Sequence, residues 1–184
     1  PAVKHAMPAR RALGFPTIFN LLGPLTNPAG ASRQLIGVYE RGLVGLVAEA
    51  LARLGAEHAM VVHGEDGLDE ITTTAATHTA IVRGGGAAAA KVDLRAIDAA
   101  EHGVPRASLA ALRVADLDGA VAMFRSVLAG EKAPARDIVL INAAAALVVG
   151  GAAGSLREGA QMAAHTIDRG EASAVIDRLI TASR

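Results

Sequence analysis

A strand, a helix and a second strand follow one another between Arg33 and Gly64, and this succession constrains the fold more than any other feature of the chain. The run RQLIGVY, residues 33–39, has strand character. In the next stretch Leu43, Val47, Leu51 and Leu54 recur at helical spacing, with Glu49 and Arg53 on the opposite side, which predicts an amphipathic helix over Gly42–Leu54. HAMVVHG, His58–Gly64, is then a short apolar strand. A strand, helix and strand within about thirty residues form the βαβ unit, whose strands are usually parallel and joined by a right-handed crossover. The expected class is therefore α/β, with a mostly parallel central sheet flanked by helices.

The remaining pattern fits that frame. Thr77–Val82 and Ala87–Leu94, separated by RGGG at Arg83–Gly86, predict a hairpin at one edge of the sheet. The glycines there lack phosphate-loop spacing, so a plain turn is the simpler reading. Asp116–Leu128 reads as a helix with an acidic first turn, stopped by Gly130. Pro134 opens another helix, and from Ile138 to Val149 its residues are apolar nearly all round except for Asn142, the mark of a helix in the core. Gly150 and Gly151 end it. SLRE, Ser155–Glu158, matches a capping box and is read as structural, and a last helix is expected over Ala172–Ala182. At the other end Lys4–Leu13 predicts a short basic helix.

Composition narrows the chemistry. Lys plus Arg and Asp plus Glu number 18 each, so no global charge attracts the chain to nucleic acid or to an anionic membrane. With no cysteine there is no disulfide, no thiolate metal site and no thiol nucleophile, which agrees with a cytoplasmic address. The longest apolar run is too short to span a bilayer, so no membrane segment is expected. The histidines show no HExxH-type spacing, and no GxSxG elbow occurs. The chain begins with Pro1 and shows no charged leader with an apolar core, so it reads as a piece of a longer chain.

Three local features carry chemistry. In HGEDGLDEI, His63–Ile71, four carboxylates (Glu65, Asp66, Asp69 and Glu70) directly follow the second apolar strand. Ligands of α/β proteins bind at the carboxyl ends of parallel strands, and clustered hard oxygen donors suit Mg²⁺ with a phosphorylated substrate; a solvated acidic turn is the plain alternative. His63 is read as a hydrogen-bonded structural residue rather than a base. In PARR, Arg10 and Arg11 end a helix-like segment, where an arginine fork either grips a carboxylate or simply sits at a helix C-terminus. Directly after them GFPTIFNLLGPLTNPAG, residues 14–30, mixes prolines and glycines with apolar side chains and predicts a buried irregular loop, whose cost suggests a functional role. Its orphaned backbone groups would fall to Thr17, Asn20, Thr26 and Asn27.

Taken together, MPARRALGFPTIFNLLGPLTNPAG, VVHGEDGLDEITTT, ARDIVLINAAAAL and SLREG resemble the anthranilate phosphoribosyltransferase family, over the whole length of the chain. The resemblance implies a nucleoside phosphorylase/phosphoribosyltransferase type of catalytic domain. The implied reaction transfers phosphoribosyl from phosphoribosyl pyrophosphate to the amine of anthranilate, in tryptophan biosynthesis, with Mg²⁺ as cofactor. By motif, Arg10 matches the family arginine that contacts anthranilate, Asp69 and Glu70 match the acidic pair that binds Mg²⁺ with the diphosphate, and Pro24 matches a proline near the aromatic slot. No residue is assigned as a general acid or base.

The family's GTGGD loop and KHGN segment do not occur in this sequence. Residues 1–184 are accordingly expected to be the C-terminal part of the catalytic domain, without the N-terminal helical domain through which the intact enzyme is expected to form a homodimer, and to be inactive alone. A pyrimidine nucleoside phosphorylase-like enzyme and a non-catalytic nucleic-acid-binding relative stand as alternatives, although the charge balance argues against nucleic acid.

Overall fold

A computed structural model of the chain describes residue 12 and residues 19–27, 29–84 and 91–183. The expected basic helix, with Arg10, and the glycine-rich hairpin turn lie outside the described residues. The elements are α1 (Phe19–Leu25), β1 (Arg33–Gly37), α2 (Leu43–Arg53), β2 (His58–Gly64), β3 (Thr77–Arg83), β4 (Lys91–Ile97), α3 (Leu117–Leu128), α4 (Pro134–Gly150), α5 (Leu156–Asp168) and α6 (Glu171–Ala182). Short 3₁₀ turns at Ala99–His102 and Leu109–Leu112 link β4 to α3.

The strands lie in the order β1-β2-β3-β4. β1 and β2 are parallel, Arg33 facing His58 and Gly37 facing Val62, as the βαβ pattern requires. β2 and β3 are antiparallel, and so are β3 and β4, which makes the described sheet mixed rather than mostly parallel. Gly64 pairs with Thr77, so β3 starts where β2 stops. Residues 65–76 return the chain without a crossover helix, and a strand that re-enters at the same end must run back. The edge hairpin is present, with β4 beginning at Lys91.

β2 is buried along almost its whole length, and its side chains alternate between two cores. Ala59 and Val61 join Ile36, Val47, Leu51, Ala80 and Val82 under α2. Met60 and Val62 join Ile71, Ile81, Ile141, Ala144 and Leu156 under α4 and α5. The sheet is thus the middle layer between α2 and the α4–α5 pair, and a strand wetted on neither face explains why HAMVVHG reads as an unbroken apolar run. The two helices pack closely: a Cβ added at Gly159 would stand 2.8 Å from the Cα of Ala144, so only glycine lets these backbones meet.

The helix signals hold. Asp116 caps α3 by accepting from the Gly119 amide at 2.8 Å, Pro134 begins α4 and Gly151 closes it with φ +81°. Ser155 accepts from the Glu158 amide at 3.2 Å, but Glu158 reaches back to the Gly154 amide at 2.8 Å rather than to the cap residue itself. A second expectation needs correction. Part of the stretch read as irregular, Phe19–Leu25, is helical with Pro24 inside it. Pro24 stands one residue from the helix end, where its missing amide costs one bond rather than a kinked interior. Beyond it Thr26 bonds the Leu22 carbonyl through its amide (2.9 Å) and Oγ1 (2.7 Å), and Asn27 Oδ1 accepts from the Ala29 amide at 2.9 Å. Thr26 and Asn27 therefore do the work assigned to them, while Thr17 and the side chain of Asn20 lie outside what is described. Among the described residues no helix is long and apolar enough to cross a membrane.

Candidate functional site at the carboxyl ends of the parallel strands

β1 ends at Gly37, opposite Val62, and β2 runs two residues further to Gly64, where the acidic segment leaves at the same end of the sheet. The Val38 amide donates to the Val62 carbonyl at 3.0 Å, and His63 Nδ1 hydrogen-bonds the Val38 carbonyl at 2.8 Å. His63 is buried and committed to holding the two strand ends together, as its structural reading anticipated.

The four carboxylates divide into two pairs. Glu65 lies 3.2 Å from His78 Nε2, an ion pair when that ring is protonated. Asp66 accepts hydrogen bonds from the hydroxyls of Thr72 and Thr74 and from the Leu68 amide (3.2 Å). Burial raises the Asp66 carboxyl, but the hydrogen bonds from Thr72, Thr74 and Leu68 outweigh it and hold the group below the ordinary aspartate value. These contacts close the loop on itself. Asp69 and Glu70, at its far side, have no such partner among the described residues.

Two contacts fix where Asp69 and Glu70 stand. A Cβ added at Gly37 would lie 1.5 Å from the Asp69 carbonyl oxygen, so the loop backbone rests directly on the end of β1 at a place that admits no side chain. Ile71, fully buried beside Ile141, is gripped from α4 by Asn142. Asn142 Oδ1 accepts from the Ile71 amide at 2.9 Å, while Nδ2 donates to the Ile71 carbonyl at 2.8 Å and to the Ile138 carbonyl at 2.9 Å.

Glu70 sits at the lip of an apolar groove of about 720 Å³ whose walls include Leu68, Leu112, Phe124 and Ile138. Burial pushes its carboxyl above the usual glutamate value, and the charges of Asp69 and Asp66 push in the same direction. A half-buried Glu70 whose charge is opposed by its acidic neighbours, with no protein cation against it among the described residues, gains from a divalent cation shared with the adjacent Asp69. No group of three or more His, Asp or Glu able to hold a metal occurs among the described residues. Two hard oxygen donors suit Mg²⁺, whose shell is commonly completed by water and substrate phosphates, better than they suit an all-protein metal cage.

Asp69 and Glu70 are thus brought together at the strand ends, Pro24 lies in α1, and Arg10 lies outside the described residues. The sequence reading did not single out Gly37, Thr72, Thr74 or the role of Asn142. A lone amide in an apolar helix was the available signal for Asn142, since a buried polar group needs a partner. A glycine within a strand run was the signal for Gly37.

A mixed sheet between helices, with an acidic turn at the ends of its parallel strands, defines an α/β domain that presents its ligand groups at one sheet edge, and the chain belongs to the glycosyl transferase family, a/b domain, whose model matches residues 1–173. Within that family it is similar to anthranilate phosphoribosyltransferases. The one from Rhodospirillum rubrum is 52% identical over 179 residues, 97% of this chain and 50% of the relative. The crystal structure of the Thermus thermophilus enzyme superposes with a TM-score of 0.83 at 38% identity, covering 98% of this chain and 52% of that one. A variant of the Saccharomyces cerevisiae enzyme with Mg bound superposes with a TM-score of 0.80 at 25% identity, covering 95% and 49%. The chain spans about half the length of the curated relatives it matches.

Proposed function

We propose that this chain is the C-terminal part of the catalytic domain of an anthranilate phosphoribosyltransferase, and that Asp69 and Glu70 hold the Mg²⁺ that accompanies the diphosphate of phosphoribosyl pyrophosphate. The observation that carries the reading is the pair of carboxylates, unpartnered among the described residues, that a pinned loop presents at the ends of the parallel strands, Glu70 raised by burial and by its acidic neighbours. In the reaction the anthranilate nitrogen bonds to C1 of the ribose as the C1–O bond to pyrophosphate breaks and its electron pair leaves with the pyrophosphate, and the nitrogen gives up one proton to water or to the departing pyrophosphate. Mg²⁺, when bound, supplies neutralisation of the negative charge that grows on that leaving group.

The residues of the chain contribute position and charge rather than proton transfer. An aniline-type nitrogen is already neutral at pH 7, so holding the reactants in line matters more than a strong base. This agrees with His63 at the site edge being tied to a backbone carbonyl. Arg10 grips the anthranilate carboxylate through its guanidinium fork. The reading brings with it a cytoplasmic setting and a homodimer formed through a helical domain outside these residues.

The test is made in the longer enzyme. Asp69→Asn combined with Glu70→Gln lowers Mg²⁺-dependent turnover about a hundredfold or more, while anthranilate binding measured by calorimetry stays largely intact. Unchanged turnover removes the metal assignment. Phosphorolysis of a pyrimidine nucleoside, with no transfer to anthranilate, overturns the activity itself.

A further inference from the structure

Asn142 lies in the middle of α4, outside the acidic loop, yet it spends its amide group on that loop. Its Oδ1 and Nδ2 take both backbone groups of Ile71, at 2.9 and 2.8 Å, and the second Nδ2 hydrogen goes to Ile138 one turn earlier in the same helix, at 2.9 Å. Both donors and the acceptor are thereby used. This bidentate grip falls on the residue next to Glu70, and the side chain of Ile71 is fully buried in the core shared with Ile141. The segment Asp69–Ile71 is therefore held at one end by the bare backbone of Gly37 and at the other by Asn142.

An ordinary loop anchor needs none of this. Asp66, Thr72 and Thr74 already close the turn, and Ile71 already buries an apolar side chain. What Asn142 adds is a fixed rotation of the Ile71 peptide, and with it the direction in which the preceding Glu70 leaves the backbone. Groups that orient a metal-binding carboxylate without touching the metal affect affinity strongly.

Resting on the assignment of Asp69 and Glu70 under Proposed function, we infer that Asn142 is a positioning residue, which sets from α4 the geometry of the carboxylate pair for its divalent cation. It touches neither substrate nor metal. Replacing the amide by a carboxylate, Asn142→Asp, keeps the shape and one acceptor but removes both donations and turns a negative charge toward the carbonyls of Ile71 and Ile138. Asn142→Ser shortens the side chain and leaves the bidentate grip broken without new charge.

The experiment uses the longer enzyme with Mn²⁺ as the probe, its binding followed by electron paramagnetic resonance in the presence of pyrophosphate. Both Asn142 variants are expected to weaken Mn²⁺ binding about 10- to 100-fold. The Mg²⁺ concentration for half-maximal rate should rise in parallel and the KM for anthranilate stay within about twofold. A merely structural role would lower thermal stability and the active fraction without moving the metal constants. Asp69→Asn with Glu70→Gln serves as the reference. If that variant leaves Mn²⁺ binding intact, the metal assignment fails. If it abolishes binding while folded Asn142 variants bind Mn²⁺ as the parent does, the inference about Asn142 is overturned. Should the Asn142 variants fail to fold, amide hydrogen exchange in the unaltered enzyme decides: the Ile71 amide must be protected without metal, and exchange at the rate of an open loop overturns the inference.

Discussion

The two halves of the acidic turn have nearly the same composition and opposite uses. Glu65 and Asp66, next to the end of β2, are spent on His78 and on the hydroxyls of Thr72 and Thr74. Asp69 and Glu70, three or four residues on, are anchored among the described residues through the backbone around them. The result is a carboxyl below its ordinary value at Asp66 and one above it at Glu70. A hydrogen-bonded carboxylate is stabilised in its charged form, whereas an unpartnered one beside like charges is not. Four carboxylates in one turn therefore contain two that build the loop and two that the loop presents.

The largest expected effect comes from attacking the presenting half at its base. Gly37→Ala puts a methyl where the Asp69 carbonyl lies, so either β1 or the loop must move. A loss of about 1–3 kcal/mol in urea unfolding is expected, together with a large fall in Mg²⁺-dependent rate of the longer enzyme. Parent-like stability and rate would break the contrast between a backbone-anchored half and a side-chain-anchored half.

Next comes the building half. Asp66→Ala removes the acceptor for Thr72, Thr74 and the Leu68 amide, and should cost about 1–3 kcal/mol by the same measurement. Because the Asp66 carboxyl lies below its unfolded value, the stabilisation it brings is present above the ordinary aspartate range and is lost as pH falls through the depressed folded value. The deficit of Asp66→Ala relative to the parent should therefore shrink in acid, and a pH-independent deficit would contradict the assignment.

Glu70 should behave in the opposite way and more weakly, being half-buried. Its carboxyl lies above the unfolded value, so its favourable contribution is present below the ordinary glutamate range and is lost as pH rises through the raised folded value. Glu70→Gln is thus expected to raise the thermal midpoint slightly at neutral pH without Mg²⁺, and the gain should vanish in acid. A destabilised Glu70→Gln protein at neutral pH would mean that Glu70 has a cationic partner that the structure does not show.

Much of this was legible in the chain itself. The apolar run of β2, the helical spacing of α2, Asp116 and Ser155 as caps and Pro134 at the start of α4 are local signals, decided by hydrophobic pattern and by which residues can satisfy orphaned amides. The acidic cluster was legible because four carboxylates so close after an apolar strand are unusual, and within it the family resemblance singled out Asp69 and Glu70. The antiparallel return of β3 was not, since an apolar strand has the same composition whichever way it runs. Nor was the helix Phe19–Leu25, whose proline and glycine argue against it unless the end of the helix falls beside Pro24.

Residue type and near-neighbour spacing were enough for the α/β class and the position of the carboxylates, and the quoted motifs were enough for the family resemblance. Packing in three dimensions alone reveals which carboxylates have side-chain partners among the described residues, how Gly37 and Asn142 hold the segment that carries the others, and which way β3 runs. Gly37 meets Asp69, and Asn142 meets Ile71, only when β1, the loop and α4 have packed. A hydrogen bond or a close approach depends on distances in space, and no local pattern encodes a distance between segments that the chain brings together from far apart.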